Sequence, residues 1–129
     1  MSTQSKHSKR FPGAELSIRQ KRVGEEVRFE LSNYLSRGDT ALEGIDGVPI
    51  TVSEVRMSAD LKHAFAYVMP LGGQNMEEVV TALNEWKSHI RTEVMRKIHL
   101  KFAPQLYFQP DLTYDHMDQV TENLASPSY

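Results

Sequence analysis

The pattern of apolar positions predicts a long helix in the first third of the chain. The apolar residues that share one face at a 3.6-residue period are Val23, Val27, Leu31, Tyr34 and Leu35. Ser17 is a suitable N-cap before this stripe, and Gly38 is a stop signal directly after Arg37. The sequence therefore predicts a first helix from about residue 17 to residue 37.

Two stretches typical of strands follow a Gly-containing loop over residues 38–48. In residues 50–58 the apolar positions change parity between Val52 and Val55, which predicts either a bulge near residues 53 and 54 or burial on both faces. Residues 62–69 alternate bulky with small side chains, so that one face can accept a close helix. Because only a short polar link separates the two stretches, we expect an antiparallel hairpin.

Two further apolar stripes predict a pair of helices. The first stripe consists of Met76, Val79, Val80 and Leu83, and the second of Ile90, Val94, Met95 and Ile98. Asn75 with Glu77 and Glu78 behind it is a favourable helix start, because acidic side chains complement the positive end of the helix dipole. We expect a kink over residues 86–89 and an end of the second helix near Leu100.

The end of the chain is predicted to add one strand and a short helix. The strand covers residues 105–109 and is framed by Pro104 and Pro110. An acidic, weakly helical tail follows at residues 114–124. Together the elements predict an α+β domain in the order α-β-β-α-kink-α-β, with helices on one face of a three-stranded sheet.

Charge is distributed unevenly along the chain, although the net charge is only −2. Residues 1–22 hold six Lys and Arg against one Glu, whereas residues 102–129 hold four Asp and Glu and no Lys or Arg. The predicted helix pair and strand carry five of the fifteen basic residues, which are Lys87, Arg91, Arg96, Lys97 and Lys101. Between Trp86 and Lys101 only Glu93 opposes them. Such a concentration of positive charge indicates an anionic partner.

Length and composition limit the organisation of the protein. A chain of 129 residues fits one domain, which we place at residues 18–112, between a flexible basic arm at 1–17 and an acidic, partly disordered tail at 113–129. Cysteine is absent, so disulfides are excluded and a reducing, cytoplasmic setting is expected. No apolar run is long enough to span a membrane. The five histidines lack metal-ligand spacing, so neither a metal nor another cofactor is expected.

The order of elements is that of a type II KH domain, a nucleic-acid-binding fold. Several short stretches also occur in a telling order and spacing: residues 19–23 (RQKRV), 50–55 (ITVSEV), 58–61 (SADL), 82–84 (ALN), 90–91 (IR), 101–104 (KFAP) and 108–111 (FQPD). On these stretches, which cover about residues 19–112, the chain resembles the ribosome-binding factor A family.

The resemblance implies a non-enzymatic factor that binds the immature small (30S) ribosomal subunit and the precursor of 16S rRNA. It implies a role in late assembly and in processing of the rRNA 5′ end, and a role in cold adaptation. Ribosome-assembly GTPases are further candidate partners, and a monomer is expected. The candidate RNA-binding residues are Arg19, Lys21, Arg22, Lys87, Ser88, His89, Arg91, Arg96, Lys97 and Lys101.

The kink is the point at which the chain departs from the family pattern. The family usually has an Ala-x-Gly kink in place of the GxxG phosphate clamp of other KH domains, and the matching residues here are Trp86, Lys87 and Ser88. Without a glycine, we expect Ser88 to produce the kink by capping the second helix. Trp86 is predicted to pack on the core, with stacking on RNA as the alternative.

Arg91 is the one candidate residue that projects onto the apolar side of its helix, beside Val94 and Met95. A guanidinium there needs a carboxylate or carbonyl partner, and Asp111 and Asp60 are the acids at nearby element ends. We therefore expect Arg91 to be structural first and RNA-contacting second.

The alternative function is that of a protein-protein adaptor that acts through the acidic loop at 38–48 and the acidic tail. Hydrolysis of RNA is disfavoured because no acid and base pair stands out in the sequence. The sequence therefore favours binding of RNA over catalysis.

Overall fold

A computed structural model describes residues 15–112, and its elements follow the predicted order. They are helix α1 (Ile18–Leu35), strands β1 (Ile50–Met57) and β2 (His63–Pro70), a 3-10 turn (Leu71–Gly73), helices α2 (Met76–Glu85) and α3 (Lys87–Met95), and strand β3 (Gln105–Pro110). The α+β prediction is confirmed. Most of the predicted N-terminal arm, and the tail with its predicted helix at 114–124, lie outside the described residues.

The three strands form one mixed sheet in the order β1-β2-β3. Strands β1 and β2 are antiparallel, which confirms the predicted hairpin, and their register shifts between Val52 and Glu54, where the bulge was expected. Strand β3 runs parallel to β2. The connection between these two parallel strands is the pair of helices α2 and α3.

Helix α1 begins where the sequence predicts, at a capping box. Gln20 N–H donates to the Ser17 hydroxyl over 3.0 Å, and Ser17 N–H donates to the Gln20 side-chain oxygen over 2.8 Å. The side-chain amide of Gln20 also donates to the Met57 carbonyl over 2.9 Å. A Cβ at Gly24 would lie 2.6 Å from the Val55 carbonyl oxygen, so this glycine lets α1 approach β1 closely.

The core lies between the helices and one face of the sheet. Ala64 and Ala66 of β2 are fully buried there, which confirms that the small face of this strand accepts helices. In α2 the buried residues are Val79, Ala82 and Leu83, whereas Met76 and Val80 of the predicted stripe are only partly buried. Ala82, which is not part of the predicted stripe, is buried because the loop before β1 packs against it.

All four residues of the second predicted stripe are buried, but helix α3 ends at Met95, well before Leu100. After this end, Lys97 N–H donates to the Val94 carbonyl and Ile98 N–H to the Met95 carbonyl. These bonds span three residues and tighten the chain into turns, so that Ile98 is buried without being helical. Within residues 15–112 no helix is long and apolar enough to cross a membrane.

Candidate nucleic-acid interface

The kink between α2 and α3 is made by a single residue, Trp86. Its backbone has φ −96° and ψ 8°, in the bridge region that residues other than glycine can adopt. The Trp86 N–H is shared between the Ala82 and Leu83 carbonyls at 3.0 and 3.2 Å, and its own carbonyl accepts the Ile90 N–H at 2.9 Å. One helix therefore ends and the next begins on the same peptide unit, and no glycine is needed.

The expectation that Ser88 caps the second helix is wrong. Helix α3 already begins at Lys87, its N-cap is Trp86, and no side chain makes the capping hydrogen bond. Ser88 therefore lies inside the first turn, where its carbonyl accepts the Thr92 hydroxyl at 3.1 Å. The Trp86 carbonyl takes the first helical bond, so the hydroxyl of Ser88 is left exposed to solvent.

The loop before β1 holds the kink in place. The indole N–H of Trp86 donates to the Glu43 carbonyl over 2.9 Å. The next residue, Gly44, has φ +93°, and a Cβ there would lie 2.8 Å from the Ala82 Cβ. Ile45 is fully buried beneath it. Trp86 thus packs against the core, as expected, and also fastens the loop to the helix pair.

Asn84 joins the end of α2 to the edge strand of the sheet. Its side-chain amide donates to the Phe108 carbonyl over 2.9 Å, and its carbonyl oxygen accepts the Phe108 N–H at 3.0 Å. One side chain thus pairs with both backbone groups of a residue on the open edge of β3. This contact protects the edge and fixes the position of the kink beside the sheet.

Arg91 binds the backbone that leads into β3. Its Nε donates to the Pro104 carbonyl over 2.8 Å and its Nη2 to the Ala103 carbonyl over 2.7 Å. The guanidinium is partly buried and its partners are carbonyls, one of the two expected options. The proposed acids Asp60 and Asp111 do not serve as these partners; the Asp60 carboxylate accepts the Ser58 hydroxyl and the Lys62 N–H instead.

Three of the candidate RNA-binding residues meet at the kink. Ser88 and His89 are exposed, and the His89 ring lies edge-on to Trp86 with 5.8 Å between ring centroids. The ammonium of Lys87 lies 4.8 Å from the centroid of the Tyr107 ring, in a cation-π contact. The kink therefore presents a cation, a hydroxyl and an imidazole beside the edge of β3.

A second group of cations lies at the opposite end of α3. Lys97 is exposed, and Arg96 is exposed while it pairs with Glu93 at 3.5 Å. Farther along, Lys101 and Arg19 line a shallow cleft of about 270 Å³ between the start of α1, the hairpin turn and the approach to β3. The structure thus brings the start of α1 close to the segment between α3 and β3.

The same cleft contains two residues that the sequence did not single out. Lys62 adds a third cation, and Phe102 is 69% exposed, with the Lys101 ammonium 5.6 Å from its ring centroid. Lys62 could have been proposed from the sequence, because it is a basic residue directly after the predicted hairpin turn. Asp60 also lines this cleft, and the Ser58 hydroxyl and the Lys62 N–H hold its pKa below the usual value, so it remains an anion.

Lys21 stands apart from both groups. It lines a different cleft, which also contains three acids and one further cation, namely Glu15, Glu25, Glu54 and Arg56. Arg22 is exposed on α1, three residues after Arg19, and so lies one helical turn from the second group. The ten candidate residues therefore do not form one continuous patch.

Exposed cations and an exposed aromatic ring are the chemical groups that this surface offers. Among residues 15–112 no group of three or more His, Asp or Glu side chains could hold a metal ion. The exposed cations can neutralise phosphates, and exposed rings such as Phe102 can stack on bases. Such contacts are typical of surfaces that bind nucleic acid.

Comparisons with known proteins show which family and fold the chain is similar to. The family model described as ribosome-binding factor A matches residues 19–124. The chain is 50% identical, over 84% of its length and 76% of the relative's, to a ribosome-binding factor A from Roseobacter denitrificans. The crystal structure of ribosome-binding factor A from Thermus thermophilus is similar in fold, with a TM-score of 0.58 at 19% identity over 70% of this chain and 94% of that one.

A second structure that is similar to this chain shows a related protein in a complex. It is a homology model of the Thermus thermophilus factor, fitted into a cryo-electron microscopy map of a complex of the 30S subunit with that factor. Its TM-score to this chain is 0.55, at 21% identity over 70% of this chain and 92% of that one. At this identity the likeness establishes the fold.

Proposed function

Because the family model and a curated relative both match most of its length, this chain belongs to the ribosome-binding factor A family, and we propose that it binds the small (30S) ribosomal subunit during assembly. The 50% identity to a ribosome-binding factor A over 84% of the chain is the observation that carries the proposal. The fold shared with a factor that was fitted into a 30S complex supports it. The protein acts by binding, not by catalysis.

The ligand on the subunit is the precursor of 16S rRNA. Ribosomal RNA presents phosphates, and both ends of α3 present cations: Lys87 at the kink, and Lys97 and Lys101 beyond the last turn. Contacts of this kind give affinity that tolerates sequence variation and depends strongly on salt. The kink residues Ser88 and His89 supply polar groups beside these cations.

The finer role follows from the family. The factor assists late assembly of the subunit and processing of the 5′ end of 16S rRNA in the cytoplasm, and it supports growth in the cold. We expect it to act as a monomer, with ribosome-assembly GTPases as further candidate partners.

The alternative function, a protein-protein adaptor, depended in part on a free acidic loop at residues 38–48. That loop is engaged within the domain: Leu42 and Ile45 are buried, and the Asp46 carboxylate accepts the Ala41 N–H at 2.9 Å. The Glu43 carbonyl holds Trp86. The loop therefore also positions the kink, while its acids Asp39, Glu43 and Asp46 stay exposed. The other surface of the adaptor hypothesis, the acidic tail, lies outside the described residues.

Two measurements test the proposal. In sedimented cell lysate, the protein is expected with free small subunits and absent from 70S ribosomes. In solution, three to four phosphate contacts predict that affinity for purified immature small subunits falls roughly a hundredfold between 50 and 200 mM salt. Affinity that is indifferent to salt, or binding to an isolated protein alone, would favour the adaptor.

A further inference from the structure

The cleft between the start of α1, the hairpin turn and the approach to β3 combines positive charge with an aromatic ring. Its lining includes three cations, one acid and one large exposed ring: Arg19, Lys62, Lys101, Asp60 and Phe102. The charged side chains give it a net charge of +2. None of the kink residues 86–89 lines it, so this basic cleft is separate from the kink.

The three cations of the basic cleft are available to an anionic ligand. Arg19, Lys62 and Lys101 are exposed, and none of them forms an ion pair with an acid of residues 15–112. The Asp60 carboxylate is engaged by the turn itself, where it accepts the Ser58 hydroxyl at 2.7 Å and the Lys62 N–H at 3.0 Å. The cleft therefore attracts groups such as phosphate.

Phe102 is the feature that attraction of phosphate alone does not explain. One exposed ring is ordinary on a protein surface, and this one is 69% exposed. A ring beside several unpaired cations is different, because single-stranded nucleic acid is held by stacking of bases on rings and by cations along the backbone. The Lys101 ammonium lies 5.6 Å from the ring centroid, so a base on this ring would bring its phosphate close to a cation.

Hydrogen bonds fix all three walls of the basic cleft. The side-chain amide of Gln20 ties the start of α1 to the end of β1 over 2.9 Å. The Gln105 N–H donates to the Lys62 carbonyl over 2.8 Å and joins the hairpin turn to β3. Arg91 donates over 2.7 Å to the carbonyl of the residue after Phe102. Because the walls are already ordered, a ligand would lose little affinity to ordering of the backbone.

The size of the basic cleft suits one nucleotide of a longer strand. Its volume of about 270 Å³ lies just below the roughly 300 to 1,000 Å³ of typical small-molecule sites. A duplex would leave the ring unused, because its bases stay stacked on one another. Loops, bulges and ends of RNA instead present bases that can stack on an aromatic side chain.

We propose that the basic cleft binds one unpaired nucleotide in a single-stranded segment of RNA. The base stacks on Phe102, and the neighbouring phosphates contact Arg19, Lys62 and Lys101. This inference rests on the proposed function, because it names the form of RNA that the subunit presents to this end of the domain.

Oligouridylate of about ten nucleotides is the probe, because its bases are unpaired and its length lies within known single-strand site sizes. Fluorescence anisotropy of the labelled probe gives its affinity for the full-length protein at several salt concentrations. Phe102→Ala should weaken binding roughly 5- to 100-fold, the usual effect of losing one stacked base, and should leave the slope of log affinity against log salt unchanged. Phe102→Tyr, which keeps a ring, should bind as the parent does.

Two further variants and a second RNA serve as controls. Phe29→Ala removes another exposed ring, 58% exposed on α1 and outside the cleft, and should bind as the parent does. Lys62→Ala should weaken binding and also reduce the slope by about 0.7, because one phosphate contact on a single strand is lost. Both positions are exposed, so both variants should fold. A duplex RNA hairpin should bind the parent and Phe102→Ala equally.

Several results would overturn the proposal. They are absence of oligouridylate binding by the parent, equal affinity of the parent and Phe102→Ala for oligouridylate, and an equal loss for the hairpin. Affinity for polyglutamate that depends on Phe102, without affinity for RNA, would assign the cleft to an acidic protein segment and would also overturn it.

Cosedimentation with immature small subunits tests the proposed function separately. A parent protein that binds subunits, together with a Phe102→Ala variant that keeps full affinity for oligouridylate, would reject this cleft and leave the proposed function intact. A parent protein that does not bind subunits would reject the proposed function itself.

Discussion

Two polar side chains of the helix pair stabilise backbone that ordinary secondary structure leaves unpaired. Asn84 pairs with both the N–H and the carbonyl of Phe108, and Arg91 pairs with the carbonyls of Ala103 and Pro104. Both act on β3 or its approach, and both come from helices that flank this edge strand. Buried or half-buried backbone groups cost free energy when they are left unpaired, so these side chains should matter for stability.

Arg91→Ala should destabilise the domain more than Lys97→Ala. The first removes two charge-assisted bonds to carbonyls and should cost about 1.5 to 3 kcal/mol, whereas the second removes an exposed cation and should cost less than about 0.5 kcal/mol. A loss of 1 kcal/mol lowers the melting temperature of a domain of this size by about 4 to 8 °C. Calorimetry of both variants checks this, and equal melting temperatures would assign Arg91 to RNA contact alone.

Asn84→Ala should open the edge of β3 locally. It leaves the Phe108 N–H and carbonyl without their partner, which should cost about 1 to 3 kcal/mol. The specific readout is hydrogen exchange: the Phe108 amide should lose its protection while amides in β1 keep theirs. Glu85→Ala, at the exposed neighbouring position, is the matched control. Unchanged exchange at Phe108 would mean that water or a neighbouring group replaces the asparagine.

For single residues, the sequence predicted local roles such as helix capping better than it predicted hydrogen-bond partners from distant parts of the chain. Ser17 could be predicted as a cap because a capping box is local, spanning residues 17 to 20. The partners of Arg91 could not, because carbonyls 12 and 13 residues away become accessible only once β3 is placed. Ser88 was assigned to capping on its residue type, and tertiary contacts of Trp86 decided the kink instead.

The loop before β1 holds the kink in place, and it contains two glycines with positive φ. Substitution of one would cause backbone strain alone, whereas substitution of the other would also cause a steric clash. Gly44 and Gly47 have φ of +93° and +85°, so an alanine at either position is strained by roughly 1 to 2 kcal/mol. Only Gly44 is also crowded, because a Cβ there would meet the Ala82 Cβ at 2.8 Å, whereas a Cβ at Gly47 would meet nothing within 4 Å.

Gly44→Ala should therefore be more destabilising than Gly47→Ala by about 1 to 3 kcal/mol, the usual cost of overpacking. It should also push the loop away from α2 and weaken the bond between Trp86 and the Glu43 carbonyl. Denaturant unfolding gives the free energies, and the fluorescence of Trp86, the only tryptophan, reports the second effect. Equal destabilisation of the two variants would mean that the loop yields without disturbing the helix pair.

At the scale of elements, periodicity predicted the number, type and order of helices and strands. The stripe of α3 was right at Ile90, Val94, Met95 and Ile98, because burial of one face is what the pattern records. The end of α3 was wrong, since tight turns bury Ile98 equally well. The parallel pairing of β3 with β2 was not predicted from the local pattern, because it depends on how the helix pair crosses the sheet.

Across the whole molecule, the cations fall into distinct environments. Arg19, Lys97 and Lys101 are exposed near the start of α1 and beyond α3. Lys21 and Arg28 on α1 have acidic neighbours, since Lys21 shares a cleft with Glu54 and Arg28 pairs with Glu25 at 2.9 Å. The sequence could count these charges but could not separate their environments, because Glu54, which lines the same cleft as Lys21, comes from another element.

This division predicts that position, and not total charge, controls binding to the small subunit. Replacing Arg19, Lys97 and Lys101 by alanine should weaken binding and reduce the slope of log affinity against log salt by roughly 2 to 3, since each lost phosphate contact contributes about 0.7 to 0.9.

The matched control replaces Lys21, Arg28 and Arg37 by alanine and removes the same charge. It should reduce the slope less, because Arg28 is paired with Glu25 and Lys21 shares its cleft with three acids. Both variants should melt within a few degrees of the parent, because all six residues lie outside the core. Equal loss of affinity in the two variants would mean that the subunit responds to net charge, and a loss confined to the control would move the interface to the other side of α1.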